Sequence, residues 1–198
     1  MLRRTLHLAS GSPRRREILA ALGLQFSSGG VDVDEARFGM ETASDMVTRL
    51  AVAKAEAARG AEVIVGADTV VVLGDEVFGK PVSRDDALRM LAALSGRTHE
   101  VLTGVAVRHD GRTRCSLSRS FVRFRDISTD EAARYWQSGE PADKAGAYAV
   151  QGLGGIFVAE VRGSYSGVVG LPVFETAALL EAAGIDLLPR TGAGNHQS

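Results

Sequence analysis

Three arginines, Arg14, Arg15 and Arg16, follow Ser10-Gly11-Ser12-Pro13 near the start of the chain, and a single carboxylate, Asp68, stands between two apolar runs in Gly66-Ala67-Asp68-Thr69-Val70. The first segment reads as a helix start. Ser12 is placed to cap it and Pro13 to fill its first position, so free backbone N–H groups and guanidinium groups can meet an anion there. The second segment puts one carboxylate at the end of a buried strand. A polyphosphate ester with a divalent ion would use both features, a local cationic patch and a hard oxygen ligand. Consecutive helical residues diverge by about 100°, so the three arginines cannot share one ligand; Arg14 and Arg15 are assigned to it and Arg16 to solvent.

Size and charge narrow the alternatives. The chain has 198 residues, 45% of them hydrophobic, enough to fill the core of one domain or of two lobes around a cleft. A formal net charge of -1 gives no global attraction to nucleic acid, so an anion site must come from local clustering of Arg and Lys. Arg14, Arg15, Lys54, Lys80 and Lys144 are the candidates. Cys115, the single cysteine, cannot form an internal disulfide, and no Cys/His spacing suits zinc. The opening Met1-Leu2-Arg3-Arg4 leads into polar, Arg-rich sequence rather than a signal peptide, and no apolar stretch would span a bilayer, so the expectation is a cytoplasmic protein without a membrane partner. Residues 1–190 are expected to form a single domain, with the small polar segment 191–198 as a fraying tail.

The elements that must position these side chains alternate strand and helix, then turn to hairpins. Thr5 to Ala9 reads as a strand, Pro13 to Leu22 as a helix stopped by Gly23, and Gln25 to Asp32 as a second strand. A helix from Ala43 to about Arg59 opens with Thr42 and Asp45 in a capping pattern. The β-branched runs around Asp68 suit a strand buried on both faces. Ser83 with Asp86 opens another helix, and Asp110-Gly111 joins two long strands as a hairpin. Ser128 with Glu131 opens a short helix through Tyr135-Trp136, which read as packing residues. A strand pair, Ala147 to Val150 and Ile156 to Val161, is expected around Gly152-Leu153-Gly154-Gly155, and a last helix from Pro172 to Gly184. This is an α/β, mixed α+β pattern: a mixed sheet with helices on its faces and a central cleft.

Ser10-Gly11-Ser12-Pro13-Arg14-Arg15, Asp32-Val33-Asp34-Glu35, Leu50-Ala51 with Lys54-Ala55, Ala67-Asp68-Thr69-Val70-Val71, Gly79-Lys80-Pro81 and Leu94-Ser95-Gly96-Arg97-Thr98-His99 resemble the motifs of the Maf family. So do Gly139-Glu140-Pro141, Asp143-Lys144-Ala145-Gly146, Gln151-Gly152, and Gly163-Ser164-Tyr165 with Val168-Val169-Gly170-Leu171-Pro172. The matches run in order across nearly the whole chain. What the resemblance implies is a two-lobed fold like that of the inosine triphosphate pyrophosphatases, commonly dimeric. It also implies a metal-dependent hydrolase that converts nucleoside triphosphates to monophosphate and pyrophosphate, in a family associated with septum formation.

On this resemblance Asp68 is the catalytic residue and shares a divalent ion, Mg²⁺ or Mn²⁺, with Glu35. The residues alone permit Asp68 to act either on a water or chiefly as a metal ligand. Ser10, Ser12, Arg14, Arg15, Lys54, Thr69, Lys80, Lys144 and Gln151 are the implied substrate-binding residues. Arg14, Thr69 and Gln151 match the branch acting on dTTP and UTP, and a side-chain amide offers the donor and acceptor that a uracil or thymine edge needs. The branch selective for 7-methyl-GTP carries Trp after Ser-Pro, where this chain has Arg14. Ser166-Gly167 departs from the Asn common before Val-Val-Gly-Leu-Pro, which bears on the loop near the nucleotide, and Phe78 replaces a frequent Leu.

Other readings are weaker. Gly152-Leu153-Gly154-Gly155 lacks the spacing and following helix of a dinucleotide loop, and Ser95 with His99 lacks a nucleophile elbow. A nucleotide-binding regulator of division without turnover would keep the cationic cradle but have no use for Asp68. A house-cleaning pyrophosphatase for modified or other nucleotides would share the chemistry and differ in base choice.

Overall fold

The computed structural model describes residues 4–188. In chain order the elements are β1 (Leu6–Leu8), α1 (Pro13–Ala21), β2 (Ser27–Ser28), α2 (Ala43–Ala57), β3 (Val63–Leu73), β4 (Glu76–Phe78), α3 (Arg84–Leu94), β5 (Thr98–His109), β6 (Arg112–Phe124), α4 (Thr129–Gln137), β7 (Val158–Arg162), α5 (Tyr165–Val169) and α6 (Val173–Ala182). Three 3-10 turns, Glu140–Asp143, Ala145–Ala147 and Leu153–Phe157, lie between α4 and β7. The expected tail, 191–198, falls outside the described residues.

The strands form one mixed sheet in the order β2-β1-β3-β5-β6-β7, with β4 also on β3. One edge of β3 pairs with β5 from Val63 to Val72. Its other edge is shared: residues Val63 to Val65 pair parallel with β1, and Val71 to Leu73 pair antiparallel with β4. Between these two ladders, Gly66 to Val70 has no strand neighbour on that edge among the described residues. The gap opens beyond the carboxyl end of β1, where parallel α/β sheets characteristically take ligands.

Alternation along β3 sends Ile64, Gly66, Asp68 and Val70 toward α2, and Val63, Val65, Ala67, Thr69 and Val71 to the opposite face. The opposite face carries two cores. Val63, Val65 and Ala67 pack with Leu19 of α1 and Leu180 of α6. Val71 packs with Ala87, Met90, Leu91 and Leu94 of α3, Tyr135 of α4, and Phe124 and Phe157. Thr69 falls at the seam between them. These are the two lobes, joined by the long strands β3 and β5.

Helix α2 lies unusually close to the sheet. A Cβ on Gly66 would run into the carbonyl oxygen of Ala51, and one on Gly104, opposite Asp68 in register, into that of Val47. Two glycines on neighbouring strands thus let the helix backbone rest on the strand backbone. The buried face of α2 is Val47, Leu50, Ala51, Lys54 and Ala55, an apolar stripe at helical spacing with one lysine in it.

Local sequence signals account for the frame. The Thr42, Ser83 and Ser128 side chains accept from the backbone N–H three residues on, at the starts of α2, α3 and α4, and Glu131 completes the reciprocal bond of a capping box. Asp110 and Gly111 both have positive φ, as the tight β5–β6 hairpin requires. Some expectations are corrected. The strand expected over residues 25–32 is only Ser27–Ser28, and Asp68 lies inside β3 rather than at its end. The strand expected over 147–150 is absent because Gly146 and Ala147 take positive φ, and 153–157 winds into a 3-10 turn before β7. No helix among the described residues is long and apolar enough to cross a membrane.

Candidate active site

The gap in the sheet opens into a cleft of about 560 Å³, lined by Ser10, Ser12, Arg14, Arg15, Glu35, Lys54, Asp68, Thr69, Lys80, Lys144 and Gln151 among others. The catalytic, metal-binding and substrate-binding candidates of the sequence therefore meet at one place, although they come from seven separate stretches of chain.

Lys54 is the centre of its floor. Its Nζ lies 2.7 Å from Asp68 Oδ1 and 2.7 Å from Glu35 Oε1. Lys54 and Asp68 are buried, whereas the Glu35 side chain is 62% exposed at the rim. A carboxylate and an ammonium held out of water need one another, because an isolated buried charge is costly. The hydrogen bond from Lys54 holds the Glu35 carboxyl below its usual range, against the opposing effect of partial burial.

The wall beside Asp68 is built on Arg15. Its Nε donates to the Gly170 carbonyl at 2.8 Å, and its terminal nitrogens reach Ser10 Oγ at 3.3 Å and Thr69 Oγ1 at 3.1 Å. Thr103 Oγ1 donates to the Gly167 carbonyl at 2.8 Å, so the 3.0 Å contact between Thr69 and Thr103 leaves Thr69 as donor. The chain runs Arg15 to Thr69 to Thr103 to Gly167. Desolvation lowers the Arg15 pKa from its ordinary value, with Asp68 acting the other way. Ser10 Oγ also accepts from the Ser12 N–H at 3.2 Å, which shapes the turn into α1. Ser12 occupies the cap position of that helix but makes no side-chain capping bond, leaving its hydroxyl to the cleft.

The opposite wall carries the remaining cations. Arg14 donates to the Asp143 carboxylate at 3.0 Å and to its carbonyl at 3.2 Å, and Lys144 bonds both the same carboxylate and the Glu140 carbonyl. Burial tends to raise the Asp143 pKa, but the bonds from Lys144 and Arg14 outweigh it and the carboxyl sits low. Gly146 N–H donates to the Gly79 carbonyl, tying the Lys144 segment to Gly79-Lys80. Lys80 and Gln151 stand exposed at the mouth.

The family model for Maf-like proteins matches residues 5–183. The chain belongs to the Maf family. Among curated relatives, proteins named dTTP/UTP pyrophosphatase come from Hahella chejuensis, 54% identical over 191 residues (93% of this chain, 95% of the relative), and Methylococcus capsulatus, 52% identical over 186 residues (91% of each). A third, from Shewanella denitrificans, is 48% identical over 186 residues, covering 88% of this chain and 94% of the relative. The mixed α/β sheet with its central cleft is the Maf-family fold expected from the motifs.

Several residues of the candidate site carry no signal in the sequence. Thr103 faces Thr69 only through the antiparallel register of β3 and β5, and Gly167 and Gly170 contribute carbonyls, which carry no side-chain signal. Asp143 was visible beside Lys144, but its reach to Arg14 depends on the fold. Tyr148 lines the cleft with its hydroxyl 2.9 Å from His99 Nε2, and Ser95 bonds instead to the backbone of Ile127. The Ser164 hydroxyl accepts from Gly167 N–H and that of Ser166 from Val173 N–H, so the departure at Ser166-Gly167 leaves an ordered turn.

Proposed function

We propose that this chain hydrolyses dTTP and UTP to the nucleoside monophosphate and pyrophosphate, with Asp68 as the catalytic carboxylate. The observation that carries the reading is the pairing of the buried Lys54–Asp68 ion pair, joined at the rim by Glu35, with a cation-lined wall across one cleft. The relatives named dTTP/UTP pyrophosphatase, matched over nearly their whole length, support the same activity and base choice.

The triphosphate enters over the amino end of α1, whose free N–H groups and positive dipole favour an anion. Arg15, Lys80, Arg14 and Lys144 take up phosphate oxygens, the last two exchanging Asp143 for the substrate. Lys54 holds Asp68 through Oδ1, which leaves Oδ2 for a water aimed at the α-phosphorus. The four cations then absorb the charge that develops on the departing pyrophosphate. Gln151 at the mouth offers its amide to the pyrimidine edge, with Arg14 and Thr69 bounding the same space.

The donor set fits a divalent cation: two carboxylate oxygens already converge on one positive atom, Lys54 Nζ, and hard oxygens in that number suit Mg²⁺ or Mn²⁺ shared with substrate phosphates. Glu35 and Asp68 would hold it, and when bound it would withdraw charge from the phosphate oxygens. A cytoplasmic homodimer completes this reading. Sedimentation of the purified chain checks the dimer.

Pyrophosphate release from canonical and modified nucleotides, run in water labelled with heavy oxygen, tests the assignment. Label in the monophosphate from dTTP and UTP supports it. Label in pyrophosphate, or preference for other nucleotides, contradicts it.

A further inference from the structure

Gln151 sits in a segment that should be loose. It is exposed, Gly152, Gly154 and Gly155 follow it, and the strand pairing expected to hold it is absent. Yet the backbone on both sides is pinned to one pair of side chains. Tyr135 OH accepts from Ala149 N–H at 3.1 Å and donates to Glu140 Oε1 at 2.6 Å. Glu140 Oε1 also accepts from Gly154 N–H at 2.9 Å, and Oε2 from Leu153 N–H at 3.0 Å. Two local bonds, Gly152 N–H to the Ala149 carbonyl and Gly155 N–H to the Gly152 carbonyl, complete the turn.

The glycines answer to the same pair. A Cβ at position 152 would overlap the Glu140 carboxylate, and one at 154 the Tyr135 hydroxyl. The sequence Gly152-Leu153-Gly154 is therefore shaped to admit this clamp. Tyr135 is buried in the second core, against Phe157, so the clamp is anchored in the rigid part of that lobe. Burial works to raise the Glu140 pKa, but the Tyr135, Gly154 and Leu153 donors prevail and keep the carboxyl low. Burial and its bond to Glu140 push the Tyr135 phenol up, so it stays a donor.

We propose that Glu140, with Tyr135, is the positioning residue for base selection: by fixing segment 149–154 it sets the pose in which Gln151 meets the pyrimidine. The inference rests on the reading of Gln151 as the base-contacting residue. An amide turned by half a revolution exchanges its donor and its acceptor, so a mobile Gln serves a uracil edge and a cytosine edge alike. Discrimination between UTP and CTP needs the backbone beneath Gln151 to be held.

The test compares Gln151→Ala, Glu140→Gln, Tyr135→Phe and the Glu140→Gln/Gln151→Ala double variant for kcat and KM on UTP and CTP, with thermal unfolding of each. Glu140→Gln keeps the shape but turns an NH₂ toward backbone donors; Tyr135→Phe removes one hydroxyl and spares the core. The expected result is a UTP/CTP preference reduced about tenfold by Gln151→Ala, and severalfold by Glu140→Gln and by Tyr135→Phe. These losses fall in KM, with kcat for UTP within about twofold, and the double variant is no worse than Gln151→Ala. If Gln151→Ala lowers the preference but Glu140→Gln does not, the clamp is overturned while the base contact stands. Equal loss on both nucleotides, or additive losses in the double variant, also overturns it. If Gln151→Ala leaves the preference intact, the base reading fails, and the clamp's role in selection fails with it.

Discussion

Lys54 Nζ lies 2.7 Å from Asp68 Oδ1, and the same nitrogen lies 2.7 Å from Glu35 Oε1. One ammonium group thus joins the buried strand β3 to the exposed loop before α2. Replacing Lys54 by Met keeps the length of the side chain but leaves the buried Asp68 without its partner. Turnover of Lys54→Met is expected to fall about 100-fold or more, with a stability loss of about 3 kcal/mol if Asp68 stays charged. Steady-state kinetics with chemical unfolding at neutral pH checks both.

The route by which Lys54 reaches Asp68 gives a second expectation. Gly66→Ala and Gly104→Ala each place a methyl group against the backbone of α2, and backbone cannot give way as a flexible side chain can. Each variant is expected to lose about 2–3 kcal/mol of stability. Activity should fall further than stability explains, because the displaced helix carries Lys54 off Asp68. Denaturant unfolding and kinetics on the folded fraction separate the two effects.

Much of this arrangement was legible in the sequence. The caps at Thr42, Ser83 and Ser128 and the Asp110-Gly111 hairpin are local signals, decided within four residues, and they appear where expected. The candidate site residues were legible as an ordered set of motifs, and the fold brings that set into one cleft. What local sequence could not give was pairing across the chain. Thr103 meets Thr69 through strand register, and Asp143 reaches Arg14 across 129 positions. The region after α4 misled because its apolar residues look like strands, whereas side-chain acceptors on Tyr135 and Glu140 satisfy backbone donors that a strand would have paired.

Thr69→Val tests the Arg15 wall. The change keeps the volume but removes an acceptor from Arg15 and a donor from Thr103. It is expected to cost about 1 kcal/mol of stability and to lower kcat/KM about tenfold, while Thr103→Val, one bond further from the cleft, has the smaller kinetic effect. Reversing that order contradicts the relay from Thr103 through Thr69 to Arg15.

His99 gives the fold an acid limb. It is buried beside Phe124 and Tyr148, and desolvation lowers its pKa from 6.5 to about 4. The unfolded chain therefore takes up a proton below pH 6.5 that the folded chain refuses until about pH 4, so this contribution is complete above pH 6.5 and is lost as the pH falls toward 4. Between pH 7 and pH 5 the loss is about 2 kcal/mol. Urea unfolding at the two pH values should show that difference in the native chain and its disappearance in His99→Asn.

Asp68→Asn separates chemistry from binding, measured as binding of a non-hydrolysable dTTP analogue alongside pyrophosphate release from dTTP. Binding is expected within a few-fold of native and release lowered by about 10³ or more. Native-like release from the variant would contradict this expectation, and would remove Asp68 from the chemistry altogether.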